Sequence, residues 1–269
     1  MAYNSPYNLE ALVVNTKAAA IYAANENSLF LGGSLIPFVN IPAGSMTAQV
    51  PLLAGGGVDE ISAEGVTDDL TVNAVTDTSV TISAKLYGSR AVLRLLGGID
   101  PVDLSTQLGK KVANAFDNDC VDAIEAATGT NAAIATGGSL SVANLFTAAK
   151  NIRAQGEMGQ LFGVIGTDLA ESLMTEIAGS NFAGGDYQNE AMRNGFVGRA
   201  AGINIFQSSY CATGSGGIFS ADAFRIAMFR NMDVTVSDRP EAVGQDIVAS
   251  LHANVGLVDA ARVQPFANA

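Results

Sequence analysis

Few residues of the types that perform acid–base or nucleophilic chemistry occur in this sequence. The single histidine, His252, lies with Ser250 and Asn254 on the polar side of an alternating run. Histidine is the most common general acid or base, but no acid or nucleophile is close to it in sequence. We therefore interpret His252 as a solvated or interface imidazole, and we expect no catalytic residue.

Three short motifs resemble ligand sites but do not meet their requirements. Gly109-Lys110-Lys111 lacks the first glycine and the hydroxyl of a phosphate-binding loop, and the glycines at 55–57 and 214–217 do not form a dinucleotide fingerprint. Asp117-Asn118-Asp119 lacks the glycine that turns a calcium loop, and its helical context predicts a solvated helix face. The sequence therefore predicts no cofactor.

The two cysteines, Cys120 and Cys211, have neither zinc-site spacing nor the number needed for a disulfide framework. They predict two free thiols in a reducing compartment and no metal site. The N-terminus has no basic segment followed by an apolar stretch, and the apolar run at 29–39 is broken by glycine and proline. These features predict a chain that is neither exported by a signal peptide nor inserted in a membrane.

Charged residues are few and unevenly distributed. They make up 15% of the chain, with 26 acids against 14 lysines and arginines. A surface this poor in charge favours extensive contact with other protein, and the acidic excess argues against tight binding to DNA. Every charged residue between Ala54 and Ala84 is an acid, namely Asp59, Glu60, Glu64, Asp68, Asp69 and Asp77. The densest basic group follows it: Arg90, Arg94, Lys110 and Lys111.

The elements that carry these charges begin with an arm over residues 1–40. It has a short alanine-rich helical patch at Asn15–Ala24, followed by the broken apolar run, which needs a partner surface on this subunit or the next. Residues 46–52 and 70–86 then alternate with period two, and Asp77-Thr78 offers turn chemistry between strands at 70–74 and 80–86. This pattern predicts a thin β-ribbon.

A long helix follows, opened by Asp100 as cap and Pro101 in the first turn, and running for about 27 residues to Thr128-Gly129. Apolar residues recur along it every four positions and so wind around the helix. Two interpretations remain open: a core helix wrapped by its own domain, or a helix that meets different neighbours at its two ends. The row is Leu104, Leu108, Val112, Phe116, Cys120 and Ile124.

The second half of the chain alternates helices and strands. A helical pattern at 139–155 precedes a strand at Leu161–Ile165 and a helix at Leu169–Ala178, and later segments at 203–207, 234–236 and 247–255 indicate strands. The fold class predicted from these patterns is α+β.

The order of these parts resembles the Hong Kong phage capsid fold of tailed-bacteriophage major capsid proteins. Local sequence agrees at Gly163–Asp168, at Gly195–Ser209, whose glycine-rich passage leads into a strand, and in the tail from Asp233 to Phe266. The resemblance implies an N-arm at 1–40, an extended β-ribbon loop at 41–90 and a peripheral domain with a spine helix at 91–155. It further implies an axial domain at 156–230 and return strands of both domains at 231–269.

The resemblance also implies a function and partners. A major capsid protein assembles with itself as hexamers and pentamers into the icosahedral head that encloses double-stranded DNA, without binding it sequence-specifically. It is assembled in the host cytoplasm and ends in the virion capsid. A portal and a decoration protein are candidate partners, and the short arm after Met1 leads us to expect a separate scaffolding protein. A ribbon lysine cross-links neighbours in some relatives; only Lys85 is near the ribbon here, so we expect no cross-link.

Two alternatives compete with this function. An encapsulin-like nanocompartment shell would have the same fold, and a cytosolic α/β enzyme with an unrecognised site belongs to another class. The charge pattern adds one hypothesis of its own, that the ribbon acids Asp59, Glu60, Glu64, Asp68 and Asp69 face Arg90, Arg94, Lys110 and Lys111 of an adjacent subunit.

Overall fold

A computed structural model describes residues 9–39, 41, 44–54, 76–94, 100–127, 129–179, 196–239 and 244–268. The helices, numbered in chain order, are α1 (Leu9–Asn27), α2 (Pro101–Glu125), α3 (Val142–Ala154) and α4 (Thr167–Gly179). The strands are β1 (Phe38–Val39), β2 (Thr47–Ala54), β3 (Thr76–Ser83), β4 (Leu86–Arg94), β5 (Ile134–Ala135), β6 (Leu161–Ile165), β7 (Phe196–Ala200), β8 (Ile203–Gln207), β9 (Gly216–Ser220), β10 (Phe224–Arg239), β11 (Gly244–Leu257) and β12 (Val263–Ala267).

The strands form two larger sheets and one separate ribbon. The first sheet has the order β1-β10-β11-β4, with the long antiparallel pair β10 and β11 at its centre. The second, mixed sheet has the order β5-β12-β9-β6-β8-β7, and α3 and α4 pack with it around a core of their own. β2 and β3 pair only with each other among the described strands. The α+β class is confirmed.

The long helix α2 begins where the sequence predicts. The Asp100 carboxylate accepts a hydrogen bond from Val102 N at 2.9 Å, and Pro101 occupies the first turn, where a missing N–H costs nothing. The predicted apolar row is buried from Leu108 to Ile124, and α1, β4 and β11 contact the helix, with β9 and β12 also packed against it. The interpretation of a core helix wrapped by its own domain is therefore the correct one.

The arm is also covered by its own subunit. α1 lies alongside α2 in the same direction: Ser105 Oγ donates to Thr16 O at 3.1 Å, and a Cβ on Gly109 would come within 2.6 Å of Ala20 O. Beyond α1, Phe30 and Ile36 are completely buried. Of the two partner surfaces left open for the apolar run of the arm, the structure shows the one on its own subunit.

The ribbon exists, but its predicted pairing is wrong. β3 contains Asp77 and Thr78, which were expected in a turn, and it pairs antiparallel with β2 from Thr47↔Ser83 to Ala54↔Thr76. Turn propensity at Asp77-Thr78 is a local preference, whereas the ladder with β2 satisfies backbone groups along eight residues. The predicted strand at 70–74 lies outside the described residues.

Candidate assembly interface

The root of the ribbon is held firmly against β11. Ala48 and Ile82 are buried against Ala227 of β10, and Asn254 Nδ2 donates to Ser83 O at 2.8 Å. Gly256 faces the same contact, since a Cβ there would lie 2.5 Å from Ile82. The ribbon therefore leaves the subunit from a fixed base, which sets the direction in which it projects.

The segment that follows the ribbon, at residues 85–87, is hydrogen-bonded to α2 through one carboxylate. Asp119 accepts hydrogen bonds from the Lys85 ammonium and from the Tyr87 hydroxyl, the latter at 2.5 Å. The Tyr87 ring packs edge-on against Phe116 with centroids 5.7 Å apart. Burial, followed by the hydrogen bond to Asp119, raises the pKa of Tyr87 above its ordinary range. Lys85 is thus engaged within its own subunit, and the absence of a cross-link stays a prediction.

A buried carboxylate joins the arm to α2. Asp117 is only 3% exposed, and it accepts from Ser28 Oγ at 2.6 Å and from Leu29 N at 2.8 Å. Burial raises the pKa of Asp117 to about 6, although the hydrogen bonds from Ser28 and the arm backbone act to lower it. The interpretation of 117–119 as a solvated face was wrong for Asp117. The sequence did contain a signal for this burial, because Asp117 lies four residues from Ala113 and from Val121, which are both buried.

The four predicted basic residues do not form one group. Arg90 projects from the outer face of the first sheet, where its Nε donates to both Asp246 oxygens at 2.9 Å, with a further contact from Nη2. This pairing lowers the pKa of Asp246. Arg94 occupies the end of β4 opposite Gly244. Lys110 and Lys111 lie on α2, which packs against the inner face of the same sheet through Tyr87.

The acidic half of the predicted contact cannot be located. Asp59, Glu60, Glu64, Asp68 and Asp69 lie outside the described residues. The pairing of these acids with the basic residues of another subunit therefore stays a prediction. Arg90 is already bonded to Asp246, so an incoming acid would have to share its guanidinium.

The surface around the ribbon root is apolar as well as charged. Met46, just before β2, and Leu86, at the start of β4, are both exposed, and the Ala84 N–H donates to Met46 O at 2.9 Å. Val92 adds a partly exposed apolar side chain further along β4. Exposed apolar groups beside charged ones are typical of protein–protein contacts.

The metal-ligating side chains, the cysteines and the helices of the described residues bear on other possible functions. Among the described residues, no group of three or more metal-ligating side chains is present. His252 lies in β11 between Leu86 of β4 and Arg230 of β10. Cys120 and Cys211 are both free, as predicted. Within the described part of the chain, no helix is long and apolar enough to cross a membrane.

No protein-family profile and no curated protein matches the sequence. Solved structures do match this chain, over most of its length and most of theirs. The capsid of the cyanophage P-SCSP1u has a TM-score of 0.65 at 18% identity, with 86% of each chain covered. The head of the Helicobacter pylori bacteriophage KHP40 has a TM-score of 0.65 at 12% identity, with 90% of each chain covered.

An encapsulin complex from Synechococcus elongatus PCC 7942 matches with a TM-score of 0.60 at 8% identity, covering 89% of this chain and 86% of that one. Likeness at such low identity shows a shared fold. The chain therefore has the tailed-phage capsid fold that its order of elements predicted. The names of these three structures describe two phage shells and an encapsulin, and none describes a catalytic activity.

Proposed function

We propose that the chain is the major capsid protein of a tailed bacteriophage, a structural subunit and not an enzyme. In this role it assembles as hexamers and pentamers into an icosahedral head that encloses double-stranded DNA. The observation that carries the proposal is the match of the capsid fold over about nine-tenths of both chains, as in the KHP40 head. The projecting ribbon supports it, because two strands have too little core to be stable alone.

The proposal includes where the protein acts and with what. Subunits assemble in the host cytoplasm and end in the virion capsid, with a separate scaffolding protein, a portal and a decoration protein as candidate partners. The net charge of −12 favours enclosure of DNA without tight or sequence-specific binding. The division into arm, ribbon, peripheral domain, axial domain and return strands is part of the same proposal.

The second candidate is an encapsulin-like nanocompartment shell, which the match to the Synechococcus elongatus structure favours. The genes beside this one separate the two candidates. Terminase and portal genes would support a phage head, and a gene for an enclosed enzyme would support a compartment. A cytosolic α/β enzyme, the third alternative, has no residue of the described chain in its favour.

Size-exclusion chromatography of the purified chain tests the shell proposal against the enzyme alternative. We expect elution in the megadalton range or as large rings, since a shell subunit contacts copies of itself on several sides. A small oligomer that stays small at high protein concentration would contradict the proposal.

A further inference from the structure

The chain passes from the ribbon into the first sheet through a very short joint. β3 and β4 are connected by Ala84 and Lys85 alone. Ala84 N donates to Met46 O at 2.9 Å, beside the start of β2. Lys85 O accepts from Ala253 N of β11 at 3.1 Å. The joint is therefore a two-residue connection between the ladder of the ribbon and the ladder of the subunit body.

One half of this joint is held on the outer face of the first sheet. Ala227 of β10 packs with Ile82 of the ribbon, whereas the preceding residue, Ile226, belongs to the core that contains α2. Successive side chains of a strand point to opposite faces, so the ribbon packs on the face turned away from α2. Asn254, the strand partner of Ala227, is on this face as well, and its Nδ2 donates to Ser83 O at 2.8 Å.

The other half of the joint is held on the inner face, by α2. The Tyr87 ring packs against Phe116 of α2 with centroids 5.7 Å apart. Tyr87 and Lys85 both bond the carboxylate of Asp119, and the Lys85 ammonium lies 5.2 Å from the centroid of the Tyr87 ring. A cation, a phenol and a carboxylate thus meet beneath the joint, on the side opposite to the ribbon contacts.

The two halves of the joint restrain different motions. Contacts on the outer face alone would act as a hinge, because the ribbon could still tilt away from the sheet by bending at Ala84 and Lys85. The bonds to Asp119 oppose this tilt from the other face, since the Lys85 ammonium would have to leave the carboxylate. Among the residues that the structure describes, no other cation is paired with Asp119.

Asp119 is itself fixed in place by a neutral donor. An exposed ion pair alone restrains its partners weakly, because long side chains lose freedom and water screens the charges. Here Tyr87 is only 7% exposed, and its hydroxyl bonds the carboxylate at 2.5 Å from a ring already packed against Phe116. The carboxylate is thus held ready for Lys85, and little further ordering is needed to form the bond.

We propose that Asp119 is the positioning residue of the ribbon: by holding Lys85 and Tyr87 on the inner face, it fixes the angle at which the ribbon leaves the subunit. This angle is a property of the single chain. Its consequence for shells rests on the proposed function, because a ribbon that already points in one direction loses less freedom when the subunit assembles.

Distances between two spin labels, measured by electron paramagnetic resonance on the full chain kept dilute and unassembled, test this clamp. The labels are placed at Ser79→Cys on the ribbon and Gln107→Cys on α2, which are both exposed positions. Cys211→Ser is included throughout, and Cys120 is buried. We expect a narrow distribution of distances in this labelled parent chain, because both halves of the joint are then in place.

The clamp is opened by Asp119→Asn, which keeps an acceptor for Tyr87 and removes the charge that holds Lys85. We expect this variant to broaden the distribution about twofold, since a short connection without its second restraint behaves as a flexible linker. Asp122→Asn, on the exposed side of the same helix, is the matched control and should leave the width unchanged. The charge exchange Lys85→Asp/Asp119→Lys should restore the narrow distribution, which a purely structural role of Asp119 would not produce.

A distribution as narrow in Asp119→Asn as in the parent would overturn the proposal, and so would equal broadening in Asp122→Asn. In assembly, the yield of shells from Asp119→Asn should fall several-fold, and an unchanged yield would contradict the role of the angle in assembly. If the unmodified chain forms no shells, the proposed function fails, while the label distances still decide whether Asp119 positions the ribbon.

Discussion

At the residue scale, the buried carboxylate of Asp117 is the feature that sequence patterns least anticipated. Helical periodicity identified the apolar row of α2, but it could not show that an arm some 90 positions earlier supplies the donors Ser28 and Leu29. The partner of a buried polar group depends on tertiary packing, and the local sequence around 117 contains no trace of it. The helix cap at Asp100, by contrast, was predictable because its donor is only two residues away.

Asp117 should make subunit stability depend on pH. Its pKa is about 6 in the folded chain and near 3.8 in the unfolded chain, so the folded state holds the proton more tightly. Stability therefore rises as pH falls through 6, and the gain is complete below about 4, with an upper limit of about 3 kcal/mol. We predict that Asp117→Asn, which keeps one acceptor oxygen, flattens this dependence in urea unfolding of unassembled subunits between pH 5 and 8. Asp122→Asn, on the exposed side of α2, should leave it unchanged.

Gly109 provides a second test at this scale. In an exposed helix interior, replacing glycine by alanine stabilises by about 1 kcal/mol. At Gly109 the added Cβ would lie 2.6 Å from Ala20 O, and α1 would have to move away. We predict that Gly109→Ala lowers the free energy of unfolding by about 2 kcal/mol or more. Gln107→Ala, two residues earlier on the exposed face, should change it by less than about 0.5 kcal/mol. A stabilised Gly109→Ala variant would show that α1 does not pack closely there.

At the scale of elements, the helices and strands that local interactions determine could be predicted, and pairings between distant segments could not. Helices α2 and α3 and strand β6 were found within a few residues, because caps, breakers and apolar period act locally. The ribbon was found, but its pairing was not, because β2 and β3 are separated by 21 residues whose sequence also alternates in part. The burial of the arm depends on contacts with α2 that no local pattern reports.

β4 is the last strand of the first sheet, and we expect that its outer edge can be blocked without disturbing the subunit. Proline at position 92 removes an N–H that points away from β11, so the internal ladder keeps its hydrogen bonds. We predict that Val92→Pro gives a folded subunit, judged by circular dichroism, whose shell yield falls at least tenfold. Val92→Thr retains the N–H and should assemble normally. Normal assembly of the proline variant would show that this edge is not paired in the shell.

At the scale of the whole molecule, we propose that the low charge of the chain and the acids of the ribbon sequence serve contacts between subunits. The described arm and α2 bury much of their apolar surface against each other, although Val14 and Tyr22 of α1 stay exposed. Individually exposed ion pairs contribute only about 0–1 kcal/mol, and their main effect is on register and partner choice.

Charge reversal in the ribbon should therefore act on assembly and not on folding. We predict that Asp68→Lys/Asp69→Lys yields soluble, folded subunits that form no shells, because lysines would meet arginines on the adjacent copy. The neutral variant Asp68→Asn/Asp69→Asn should assemble with reduced yield, as it removes attraction without adding repulsion. Shells formed by the lysine variant at normal yield would refute the pairing of ribbon acids with a basic neighbour.

The central claim, that this chain builds a closed shell from copies of itself, is tested most directly by negative-stain electron microscopy of the purified protein. We predict closed particles of uniform diameter whose surface shows clusters of six and five subunits. A homogeneous population of small oligomers, at the concentrations and salt conditions that promote assembly of charged subunits, would contradict the account.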